Sequence, residues 1–83
     1  MNRIIIISDD KCKKCEALKA TIRQLLDIKG IKAEVRVIKN ETDEAVDLAI
    51  DHDLSNIPCM VVNGVGINEY EEALFLKNLK RGG

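Results

Sequence analysis

Aromatic side chains are nearly missing from this chain. Among its 83 residues Tyr70 and Phe75 are the only aromatics, and there is no tryptophan. A surface that binds single-stranded nucleic acid by stacking needs an aromatic platform, so that class finds no support. Neither sign of charge is in excess: 13 Lys and Arg stand against 14 Asp and Glu, a formal net charge of -1. The basic stripe of a nucleic-acid binder is therefore missing as well. Long apolar runs are absent too. No run exceeds four residues, as at Ile4–Ile7, against roughly 20 for a membrane-spanning helix. The N-terminus has neither the apolar stretch nor the small-residue cleavage site of a signal peptide. The expected location is the cytoplasm, with no nucleic-acid and no membrane partner. The three cysteines are an odd number, and thiols in the cytosol are held reduced, which argues against a structural disulfide framework. Catalysis, metal binding or burial remain open to them.

What is present reads as one globular domain over residues 1–83, with 46% hydrophobic and 33% charged residues and none of the charge imbalance of a disordered chain. The hydrophobic period changes along the chain and marks its elements. Arg3–Ile7 reads as a central strand buried on both faces, because its isoleucines do not alternate with polar residues. A polar loop, Ser8–Lys11, leads to a helix starting near Cys12. Cys15, Leu18, Ile22 and Leu25 share one face of it, and Gly30 closes it. Ile31–Ile38 alternates apolar and charged residues, as a strand near a sheet edge does.

Thr42 or Asp43 caps a second helix running to about His52, with Ala45, Val46, Ala49 and Ile50 as its apolar side. Pro58–Val62 is a short buried strand, Asn63-Gly64 a two-residue hairpin turn, and Val65–Ile67 the returning strand. Asn68, with Glu71 three residues on, has the pattern of a capping box for a last helix, whose apolar residues are Tyr70, Ala73, Leu74, Phe75, Leu76 and Leu79. Arg81, Gly82 and Gly83 are expected to fray. The order is β-α-β-α-β-β-α, an α/β fold with a four-stranded mixed sheet flanked by helices. The first two strands, joined through a helix, should be parallel.

The chemistry-bearing feature is Cys12-Lys13-Lys14-Cys15 at a helix start. The thiolate is the reactive form of cysteine. The first turn of a helix offers unpaired N–H groups and partial positive charge, which stabilise a sulfur anion at Cys12. Lys11, Lys13 and Lys14 add to this, and Asp9 and Asp10 oppose it. Cys15, nearly one turn further on, lies on the same side and within reach of a disulfide with Cys12. Its place on the apolar stripe makes it the more buried of the two. Cys12 is then the attacking sulfur and Cys15 the resolving one. Two other readings exist. A C-x-x-C is half of many zinc sites, for which Cys59 and His52 would have to complete four ligands. The other reading is two inert cysteines in a helix turn.

With these residues in place the chain resembles the thioredoxin superfamily, and most closely its small glutaredoxin-like members. The resemblance covers nearly the whole chain: the short buried first strand, the Cys12–Cys15 motif opening the first helix, Ile57-Pro58 before the third strand, and the Asn63-Gly64 hairpin leading to a final helix. It implies a thioredoxin-like fold and a protein-disulfide reductase engaged in electron transport and cell redox homeostasis. It implies that Pro58 is a cis-proline beside the dithiol and that the backbone of Ile57 pairs with the substrate chain. Lys11, Lys13, Ile57 and Pro58 are thus the expected substrate contacts, and Cys12 and Cys15 the catalytic residues. No bound cofactor or metal is expected. The partners are a disulfide-containing protein or small molecule and an electron donor, either glutathione or a reductase. The protein is expected to be a monomer.

Some residues depart from the family pattern. Lys13-Lys14 stands where Gly-Pro or Pro-Tyr is usual, and no tryptophan precedes Cys12. Gly64-Val65-Gly66-Ile67-Asn68 lacks the diglycine and following acid with which many glutaredoxins hold glutathione. Cys59 is expected to face away from the dithiol as a buried core residue, because neighbouring strand positions point to opposite faces. Brought into the site instead, Cys12, Cys15 and Cys59 would make a soft-metal centre. His52, between Asp51 and Asp53, reads as an exposed helix-end residue, and Tyr70 as partly buried core. A metal carrier and a non-catalytic interaction module are the alternatives to the enzyme.

Overall fold

The isoleucine run does form the central strand. In the computed structural model, which describes residues 1–80, β1 spans Asn2–Ser8. It is followed by α1 (Lys13–Lys29), β2 (Ala33–Lys39), α2 (Asp43–Asp51), β3 (Cys59–Val62), β4 (Val65–Ile67) and α3 (Glu72–Lys77). Residues Arg81, Gly82 and Gly83, expected to fray, lie outside the described residues. The sheet order is β2-β1-β3-β4. β1 pairs in parallel with β2, with Ile4 opposite Val35, and antiparallel with β3, with Ile6 opposite Met60. β3 and β4 form the antiparallel hairpin. The protein is therefore α/β, with a four-stranded mixed sheet and three helices, and β2 is an edge strand as its alternating charges suggest.

Side-chain alternation along β1 sends Ile4 and Ile6 to one face and Ile5 and Ile7 to the other. Ile4 and Ile6 pack with Leu18, Ile22 and Leu26 of α1, Met60 and Val62 of β3, and Phe75 of α3. Ile7 packs on the opposite face with Ala45 of α2 and Cys59 of β3. Each fully buried Ile, Leu or Phe contributes roughly 1.5–3 kcal/mol by leaving water. The buried stripe of α1 is Cys15, Leu18, Ile22 and Leu26. Leu25, expected in that stripe, is only half-buried, because spacings of three, four and four bring Leu26 rather than Leu25 under the helix.

The second helix is turned relative to expectation. Ala45 is buried and Leu48 and Ala49 are half-buried, but Val46 is 47% and Ile50 73% exposed. A stripe through Ala45, Leu48 and Ala49 faces the sheet, and Val46 and Ile50 lie one position around the helix from it. Thr42 is the cap, its Oγ1 accepting the Ala45 N–H at 3.2 Å.

The last helix also differs. It begins at Glu72, its N-cap is Glu71, and no side chain caps it. Asn68 serves another segment: its Oδ1 accepts the N–H groups of Ser55 at 2.8 Å and Asn56 at 2.9 Å. That pair of bonds fixes the loop before β3, which carries Ile57 and Pro58. The hairpin turn is as expected, with φ of 50° at Asn63 and 85° at Gly64.

Candidate functional site

The C-terminal end of β1 delivers the chain to the two cysteines. Ser8 is buried and accepts the Asn40 N–H at 2.8 Å, which holds this end of β1 to the end of β2. Lys11 then takes a left-handed φ of 61°, a conformation uncommon outside glycine, and the chain turns into α1. Cys12 is the N-cap residue, extended, with its Sγ accepting the Cys15 N–H at 3.1 Å. The usual oxygen of a cap is thus replaced by sulfur. The two Cα atoms are 5.2 Å apart and the sulfurs lie at disulfide distance.

Exposure differs between the two. Cys12 is partly open to solvent, and Cys15 is buried at 1% exposure. Lys11, Lys13 and Lys14 are all exposed around them. Asp10, an opposing charge nearby, lies 3.5 Å from Lys39, an exposed pair of little energetic weight.

Beside the helix start is a groove of about 470 Å³. Lys14, Leu18 and Thr21 of α1 form one wall, Asn56, Ile57 and Pro58 another, and Glu69 and Tyr70 close it. The Ile57–Pro58 peptide bond is cis. Neither the N–H nor the C=O of Ile57 has a hydrogen-bond partner among the described residues, so both are open to an incoming extended chain. Lys14 lines this groove, whereas Lys11 and Lys13 sit outside it on the surface around Cys12. Thr21, Asn56 and Glu69 carry no signature in the sequence; only the meeting of three distant segments makes them neighbours.

Tyr70 has two roles. It is half-buried, packs against the core with its ring 6.0 Å from that of Phe75, and also lines the groove. Its hydroxyl is buried without a hydrogen-bond partner among the described residues. Burial, with a smaller contribution from the Glu72 carboxylate, pushes its pKa up.

The third thiol is elsewhere. Cys59 follows Pro58 but packs with Ile7 and Ala45 on the α2 face, opposite the face that α1 covers. Burial raises its pKa and disfavours its thiolate. Among the described residues no group of three or more His, Cys, Asp or Glu is placed to hold a metal ion, so the three-thiol centre is not assembled.

His52, expected to be exposed, is instead half-buried as the C-cap of α2, with Nδ1 3.0 Å from the Leu48 carbonyl. The close approach of the Gly66 backbone covers it. A larger cleft of about 740 Å³ runs between the end of α1 and β2, but it is lined by Arg23, Asp27 and Lys32 and holds no thiol. No helix among the described residues is long and apolar enough to cross a membrane. No known protein family matches the chain, and no curated protein matches it.

Proposed function

We propose that this protein is a thiol–disulfide oxidoreductase with a thioredoxin-like fold, using Cys12 and Cys15 to reduce disulfides of a protein or small molecule. The observation that carries the reading is the sulfur of Cys12 at the N-cap of α1, accepting the Cys15 N–H. A sulfur anion there gains a hydrogen bond and the positive end of the helix. The difference in exposure supports the roles of attacker for Cys12 and resolver for Cys15. The accessible Cys12 thiolate attacks a substrate disulfide, forms a mixed disulfide and expels one substrate thiolate. Cys15 loses its proton and attacks the Cys12 sulfur, expelling the second. Two electrons pass to the substrate, the released thiolates take up the proton lost by Cys15 and one from solvent, and Cys12–Cys15 is left as a disulfide.

The groove supports the same reading. It is lined by Lys14, the residue before Cys15 in the chain, and presents the free backbone groups of Ile57 next to Pro58. An extended substrate chain can pair there while its disulfide meets Cys12. Glutathione or a protein reductase returns the electrons. The separation of Cys59 from the pair disfavours the metal-carrier alternative.

The test is reduction of a model protein disulfide with glutathione, or with a thioredoxin reductase and its nicotinamide donor, supplied in turn. Turnover with either donor that is lost in Cys12→Ser supports the proposal. No turnover with both donors, together with retention of all three free thiols after mild oxidation, overturns it and leaves the interaction module.

A further inference from the structure

We infer that a second site, at the far end of the sheet from the cysteines, binds a small organic anion: a phosphate or carboxylate head on a short apolar body. The α2 face of the sheet is only half covered. α2 packs over Ile7 and Cys59, while Ile5, two residues earlier on the same face, is half-buried. Beside it is a cavity of about 490 Å³. Its apolar walls are Ile5, Leu48 and Val61, and its polar ones include Arg3, His52 and Lys80.

Among the described residues no carboxylate lines this cavity. Arg3 and Lys80 make no ion pair among the described residues, whereas Arg36, on the same sheet face, is clamped by both carboxylate oxygens of Glu44 at 2.9 Å. Glu34 stands opposite Arg3 in the strand ladder and shares a neighbouring depression with Arg3 and Arg36, yet it makes no ion pair with Arg3. Asp51 and Asp53 flank His52 in the chain without lining the cavity.

Two cations without partners therefore border an apolar recess. An anion between them gains charge-assisted hydrogen bonds, and an apolar body gains burial against Ile5 and Val61. The Gly64 N–H, at the tip of the hairpin and also on the cavity wall, has no partner among the described residues and adds a backbone donor. The site is separate from the dithiol: Arg3 is five residues from Ser8 along β1, roughly 17 Å at the rise of a strand. The inference does not depend on the redox reading.

An amide NMR titration of the full chain tests it, with n-butyl phosphate, butyrate, inorganic phosphate and n-butanol as probes. Saturable shifts centred on Arg3, His52 and Gly64 are expected with the two organic anions, weaker ones with inorganic phosphate, and none with butanol. Arg3→Gln/Lys80→Gln, which removes both charge-assisted contacts, should weaken binding by at least about tenfold. The Lys80 backbone bonds to Asn2 do not involve its side chain, so the fold is kept. Should the double variant fail to fold, each single variant decides through a partial loss. The inference is overturned by the absence of saturable shifts or by shifts centred on Lys11, Lys13 and Lys14. It is also overturned by equal binding of inorganic phosphate (an adventitious ion only), or by undiminished binding in the variants.

Discussion

The sulfur of Cys12 stands 3.1 Å from the backbone nitrogen of Cys15 and caps the helix that Cys15 belongs to. One residue thus serves as a structural cap and as the more accessible member of the sulfur pair. Replacing it changes helix capping along with the chemistry, so serine, which retains a cap oxygen, is the appropriate substitution at this position.

Cys59 and Tyr70 set the alkaline limit of stability. Burial raises both their pKa values from 9.0 and 10.0. Above about pH 9 the unfolded chain loses these protons before the folded one does, so the folded state binds more protons and stability falls as pH rises. Below the unfolded values the contribution is fully present. Denaturant unfolding from pH 7 to 11 should show this decline, with a shallower slope in Cys59→Ala. In Tyr70→Phe the slope should also flatten. Removing its buried, unpartnered hydroxyl should leave stability at pH 7 unchanged or raise it by about 1 kcal/mol.

Gly66 is required for space. A Cβ there would meet the His52 Cβ at 2.7 Å and the His52 carbonyl oxygen at 3.1 Å. Gly66→Ala should destabilise the protein by about 1–3 kcal/mol, seen as a lower urea midpoint with unchanged slope.

Asn2 ties the chain's ends together. Fully buried, it donates to the carbonyls of Lys32 and Lys80 and accepts from Asn63 Nδ2 and the Lys80 N–H, at 2.7–3.1 Å. Asn2→Ala strands those groups and should cost about 2–4 kcal/mol. Hydrogen exchange at Lys80 should accelerate more than at Ile6, because the C-terminal segment loosens first.

Local patterns in the sequence carry much of this architecture. The isoleucine run, the Thr42 cap, the Asn63-Gly64 turn and the cysteine pair at a helix start each announce themselves within a few residues. The errors arise where a distant partner outcompetes a local one. Asn68 and Glu71 have capping-box spacing, yet Asn68 bonds to Ser55 and Asn56 instead. Val46 and Ile50 are as apolar as any core residue, but the smaller Ala45 lets α2 approach the sheet and leaves them outside. The groove is the least legible feature, since Thr21, Asn56 and Glu69 meet only through the tertiary fold.

The proposed division of labour between Cys12 and Cys15 is tested most directly by trapping. Each single serine variant is incubated with a disulfide substrate, and the covalent adduct is quantified by mass spectrometry under non-reducing conditions. With Cys12 as attacker and Cys15 as resolver, Cys15→Ser accumulates a mixed disulfide through Cys12 and Cys12→Ser accumulates none. Equal trapping by the two variants, or trapping by neither, contradicts a redox dithiol with these roles.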